Sequence, residues 1–252
     1  MKLSNKESLK NLNGNQVQKA ILLFGPPGAG KGTQSELLAS KFYFYNLDTS
    51  RVLEEKFKNA KPGAAVEIGG RQYPVDEELA KRKKGVLCSV EFTAFLMNKR
   101  IAEIHELGKS LILSGSPRSL AEAEIEMPFL EDLYGKDNIH ILFLDLPAEQ
   151  TIFRNSNRLI CELMRHSILY IPENADLKRC PLDGSRLMHR DLDNVETIKV
   201  RLEEFEQTAG PLEDYYQKQE YNLKKINANQ YVENVFDDII AALGPCFKVY
   251  EM

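Results

Sequence analysis

Tryptophan is absent from this 252-residue chain, and cysteine is scarce. Cys88, Cys161, Cys180 and Cys246 are too few and too scattered for a disulfide framework, which leaves reduced thiols or a metal site. No apolar run approaches the roughly 20 residues that a membrane span requires. The opening MKLSNKESLKNLNGNQVQKA holds no apolar signal-peptide core before Ala20. Positive charge is not in excess: the formal net charge is −4, with 28% charged and 43% hydrophobic residues. That balance removes nucleic acid and membrane as default partners and describes a soluble, cytoplasmic globular protein. Internal repeats and low-complexity segments are lacking too. Residues 1–18 read as a polar N-terminal extension ahead of a core over 19–248.

What is present is the stretch ILLFGPPGAGKGTQSELL at 21–38. An apolar run at 20–24 ends in Gly25, and after Lys31 the placing of Leu37, Leu38 and Lys41 predicts an amphipathic helix. The loop between them therefore joins a strand to a helix. Gly25, Gly28 and Gly30 let the backbone turn its N–H groups inward, so an anion meets several donors and the positive end of the helix dipole. Lys31 adds a point charge for the outer phosphates. The loop fits G-x-x-x-x-G-K, but Gly32 follows the lysine and the hydroxyl arrives one place later, at Thr33. Gly25, Gly28, Ala29, Gly30, Lys31, Gly32 and Thr33 are the expected triphosphate cradle.

Further strand candidates at 110–113, 139–146 and 223–226 alternate with helical stretches, which indicates an α/β fold with a parallel sheet. Two regions break the alternation. Residues 59–75, NAKPGAAVEIGGRQYPV, predict a hairpin about Gly69-Gly70. Residues 161–193 are irregular for long enough to form a lid, a binding loop or a small insert. The run Lys81-Arg82-Lys83-Lys84 reads as a solvated helix end before Gly85, since neither aromatics nor overall basicity accompany it.

Phosphoryl transfer is mostly positioning and charge neutralisation, so arginines near the loop are the residues to seek. Arg118 follows a strand in LILSGSPRSLAEAE, where Gly115 and Pro117 shape a turn at the strand's C-terminal edge. Arg154 and Arg158 lie four apart, which predicts one face of a helix. Arg190 opens RDLDNVETIKVRLEEF, in which Ile198, Leu202 and Phe205 supply an apolar stripe with Arg201 beside it.

With these pieces in order, the chain resembles the adenylate kinase family of nucleoside monophosphate kinases. GPPGAGKGTQ, GSPRSLAEAE, RNSNR, RDLDNVETIKVRLEEFEQTAGPLEDYY and KKINANQYVENVFDDIIAAL follow the family's sequence over residues 20–243. The resemblance implies a P-loop NTPase-type parallel sheet flanked by helices, with a monophosphate-binding insert at 48–91 and a lid insert at 157–192. It implies transfer of the γ-phosphate of ATP, taken with Mg²⁺, to a nucleoside monophosphate, AMP above others, by a monomer. Two rival readings stay open: a low-turnover nucleotide-binding protein, and a kinase for another monophosphate such as GMP. By carry-over Lys31, Arg118, Arg158, Arg190 and Arg201 are catalytic, and Arg154 joins Arg158 on the triphosphate. Thr49, Arg51, Gly115, Arg118, Glu122, Arg190 and Arg201 hold the acceptor.

Departures from the family concentrate at the acceptor and the lid. In DTSRVLE, Arg51 stands where an aspartate is usual and Glu54 where an arginine helps to hold the acceptor phosphate. The two share a helix face, so Arg51 is expected to do the missing arginine's work. Ser114 replaces a magnesium-orienting aspartate, with Asp145 as the nearest strand-end substitute or else a helix cap. Glu122 occupies the place of a glutamine that reads the adenine edge. The lid resembles zinc-lid members through Cys161, Cys180 and Asp183, but Met164 stands where a thiolate belongs, and His166 substitutes only if the turn bends towards the others.

Overall fold

A computed structural model describes residues 17–189 and 193–247. Strand β1 (Ala20–Phe24) is buried along its whole length and lies at the centre of a five-stranded sheet. Its neighbours are β5 (Leu111–Ser114) and β6 (Ile139–Asp145), followed outward by β2 (Tyr45–Asp48) and β10 (Asn222–Asn227), all parallel. The expected strands are all found, with ends shifted by a residue or two. Strand β2 is one that periodicity does not reveal: of YNLD only Leu47 is buried, as an edge strand allows.

Side chains alternate across this sheet and create two cores. Ala20, Leu22 and Phe24 face one side with Leu111, Leu113, Ile141 and Phe143. Helices α4 (Val90–Glu106), α5 (Leu120–Tyr134) and α7 (Val195–Lys218) cover it with Met97, Ile101, Met127, Leu130, Leu212 and Tyr216. Ile21 and Leu23 face the other side, under α1 (Lys31–Phe42) and α8 (Val232–Leu243), through Leu38, Val235 and Ile239. The three layers make an α/β architecture of the P-loop type.

Because the strands are parallel, every strand ends at the same edge, and the register aligns Asp48 with Ser114 and Phe24 with Phe143 there. Two excursions leave from that edge. The first comprises α2 (Thr49–Asn59), the hairpin of β3 (Ala65–Ile68) and β4 (Arg71–Pro74), and α3 (Val75–Lys83). Its turn is the expected Gly69-Gly70, both residues at positive φ as a two-residue hairpin requires. Leu53, Val66, Tyr73, Val75, Cys88 and Phe92 form its core. The second leaves α6 (Ala148–Asn157) and folds β7 (Leu159–Cys161), β8 (Ser167–Ile168) and β9 (Leu187–Met188) into an antiparallel sheet. Cys161, Ile168 and Cys180 form its small core, and Ile160 is buried at the cavity wall. No helix among the described residues is long and apolar enough to cross a membrane.

Candidate active site

The loop after β1 is shaped by close approach. A Cβ on Gly25, at φ +147°, would lie 2.3 Å from the Leu144 carbonyl oxygen, so only glycine lets β1 exit against the end of β6. One on Gly28 would lie 2.5 Å from Asn155 Nδ2, and that contact seats α6 on the loop. Lys31 opens α1 and folds back over the loop, its Nζ donating to the Gly25 and Pro26 carbonyl oxygens at 2.7 and 2.9 Å. Gly25, Gly28, Gly30, Gly32 and Thr33 line the cavity beside it. Ala29 does not: it is packed in the core under the loop, its N–H directed to the Pro26 carbonyl.

Arg118 reaches the same cavity from the turn after β5, where its Nε donates to the Gly115 carbonyl. Two buried carboxyl groups hold that turn. Glu122, 1% exposed, accepts from the Arg118 backbone N–H at 2.7 Å, and Glu126 accepts from the Ser116 hydroxyl at 2.8 Å. Burial, then the neighbouring Glu122, pushes Glu126 up to about 8. Glu122 is thus buried and is not among the residues that line the cavity. Thr49 is likewise buried and donates to the Ser114 carbonyl at 3.2 Å.

Arg154 sits on α6, but Arg158 does not share its helix face. The helix stops at Asn157, and Arg158 turns extended into β7, where its guanidinium grips Asp193 at 2.7 to 3.0 Å. Arg201, on α7, approaches the same carboxylate at 4.0 Å. Both line the cavity with Arg154. Arg190 lies outside the described residues. The cavity encloses about 720 Å³, and eight cationic side chains line it against four carboxylates. Polyanions on both sides of a transfer are what such a balance suits.

The family model for adenylate kinase matches residues 23–221. The chain belongs to the adenylate kinase family. Relatives include the adenylate kinases of Clostridium botulinum, 30% identical over 226 residues that cover 89% of this chain and 98% of the relative. That of Shouchella clausii is 31% identical with 89% and 97% covered, and that of Methanothrix thermoacetophila 31% with 89% and 98%. This adenylate kinase family member is therefore a phosphotransferase, with nucleoside monophosphate kinase activity.

The cavity wall supplied by the first excursion differs from what the family pattern implies. Arg51 lines the cavity, half-exposed, and pairs with Glu36 of α1 at 2.6 Å. Arg82 is no solvated helix end: its side chain is 11% exposed, lines the cavity, and meets Glu54 at 2.9 Å. Arg165, in the second excursion, reaches the other Glu54 oxygen at 3.3 Å. Asp145 is exposed, off the cavity wall. Asp48 is on that wall, caps α2 through the Arg51 N–H, and acts on the charge of Lys31.

In the second excursion Cys161, His166, Cys180 and Asp183 bring one ligand atom each within 4.8 Å of all the others. His166 Nδ1 lies 3.5 and 3.4 Å from the two sulfurs and 3.2 Å from Asp183 Oδ2. A tetrahedral zinc sphere places its ligand atoms roughly 3.3–3.8 Å apart, so the donor set suits that ion and the distances about His166 lie close to that range. Met164 is 59% exposed and takes no part. The Ser185 hydroxyl, then the Cys161 thiol, hold Asp183 well below the usual carboxylate range, and Asp183 is therefore ionised, as a ligand must be.

Burial, then the Arg201 and Arg118 guanidinium groups, push the Lys31 ammonium down to about 7. Phosphate oxygens oppose that shift, so at pH 8 ATP binding should take up roughly 0.9 proton, and far less at pH 6. Titration calorimetry in buffers of different ionisation enthalpy measures the uptake. Heats independent of buffer at pH 8 would mean that the lysine is already charged.

Proposed function

We propose that this enzyme moves the γ-phosphate of ATP to AMP, yielding two ADP. The observation that supports it most is the cavity that joins the phosphate loop to Arg118 and is lined by eight cationic side chains. In this reading the glycine loop and Lys31 hold the triphosphate, Lys31 leaving its loop carbonyls for the outer phosphates. Arg118 and Arg51 take the acceptor phosphate. Arg158 and Arg201, aimed through Asp193, and Arg190 stabilise charge on the moving group. Arg154 serves the triphosphate.

The first excursion then acts as the monophosphate-binding part, and the second as a lid whose closure keeps water from competing as acceptor. Asp48 and the Thr33 hydroxyl are the groups to hold waters of magnesium, which supplies charge neutralisation when bound with ATP. Cys161, His166, Cys180 and Asp183 would hold a structural zinc. A monomer working in the cytoplasm belongs to the same proposal and rests on the family resemblance alone.

The test is turnover over AMP, GMP, CMP and UMP with ATP as donor in a coupled assay. AMP should be used at least tenfold more efficiently than the others, by kcat/KM. A preference for GMP would move the assignment to another monophosphate, and binding of ATP without turnover of any would replace the kinase by a nucleotide-binding protein.

A further inference from the structure

Glu54 stands on α2 with its carboxylate at the cavity wall, and two guanidinium groups come to it from different parts of the chain. Arg82, in the last turn of α3, is 2.9 Å from one oxygen and also donates to the Ser50 carbonyl at 3.5 Å. Arg165, in the turn between β7 and β8, is 3.3 Å from the other oxygen. All three residues line the cavity. One carboxylate between two arginines is a holder: it positions both planar forks at the cavity wall, and a guanidinium carries five N–H donors in all. Two forks held in that way match a phosphate, which offers several acceptor oxygens to bidentate donors.

We propose that Arg82 and Arg165, held by Glu54, form a phosphate subsite for the acceptor monophosphate, built jointly from both excursions. The proposal deepens the monophosphate kinase reading and rests on it. Arg82 and Arg165 are the binding residues, and Glu54 is the positioning residue that acts through them. Since the subsite exists only while the second excursion reaches the first, an acceptor bound there favours the closed arrangement. The acceptor then helps to seal its own reaction from water.

The alternative is that the Arg82 to Glu54 pair merely staples α3 to α2. Affinities for AMP and for adenosine, which lacks the phosphate, separate the two ideas. Arg82→Ala should weaken AMP binding by roughly ten- to a hundredfold, the usual effect of losing a charge-assisted contact, and leave adenosine binding unchanged. Arg82→Lys should recover part of the loss. Arg165→Ala should also raise the KM for AMP, with the KM for ATP within about twofold.

Equal weakening of AMP and adenosine, or no weakening of either, would overturn the subsite and leave the kinase reading standing. If the unaltered protein turns over no monophosphate, the kinase reading falls and the subsite falls with it.

Discussion

Replacing Lys31 by alanine is expected to lower turnover by about 10³-fold or more while the folded protein loses no stability, and Arg118→Ala should cost a similar factor in rate. The two effects part because the Lys31 ammonium is held where the fold itself does not want a charge. Burial and two nearby guanidinium groups bring it from the ordinary lysine value down to about 7. Between about pH 7 and the ordinary lysine range the unfolded chain therefore binds more protons at this position than the folded one. The stability of the unaltered protein relative to Lys31→Ala should rise with pH across that window and be lowest at or below pH 7. Thermal melts of both proteins from pH 6 to 10, beside kcat at pH 7.5, test the pair of statements. Near-normal turnover in either variant would remove Lys31 or Arg118 from the reaction.

The second large effect concerns metal. Zinc analysis of protein purified without chelator should find about one ion per chain, and Cys180→Ser or His166→Ala should abolish it. Met164→Ala should not, because that side chain is exposed while His166 sits among the sulfurs. The size of the core explains why the loss would matter. A core cluster of three buried residues, with Ile160 buried beside it, cannot supply the apolar burial that a free-standing unit of this length needs, so a metal would serve as its staple. Chelation should make the segment between β7 and β9 sensitive to protease at a temperature where the sheet stays protected. A stoichiometry near zero, with resistance unchanged by chelator, would mean that packing and hydrogen bonds alone hold this part together.

What the sequence shows readily is local. The glycines of the loop, the alternation of strand and helix, and the Gly69-Gly70 hairpin each depend on residues a few places apart, and each is found. Arg118 was legible because the turn that carries it is short and follows a buried strand. Strand β2 was not, since an edge strand buries too little to leave an apolar run. The roles of Arg82 and Arg165 depend on Glu54, which is distant in the chain from both, and a basic run looks the same whether one member turns inward or none does. His166 takes its place through a bend at Arg165, where φ is +60°, and spacing alone does not forecast a non-glycine residue there. Glu122 illustrates the converse. Its position in the pattern suggests a base reader, while in the structure its carboxyl is buried and accepts from the Arg118 backbone N–H, a local contact that the pattern does not announce.

Gly85 closes the first excursion at φ +86°, and its bare backbone lies against the start of α7: a Cβ there would meet the Thr197 methyl at 3.1 Å and the Thr197 carbonyl at 3.2 Å. Helices that pack through side-chain ridges interlock, and a turn of one then drags the other. A peptide group resting on a threonine methyl has no such teeth. The end of the first excursion therefore sits flush on the helix that follows the second, with no side chain of Gly85 between them. What ties one excursion to the other beyond that flush seat is charge, the Arg165 to Glu54 ion pair at 3.3 Å, rather than packed side-chain ridges.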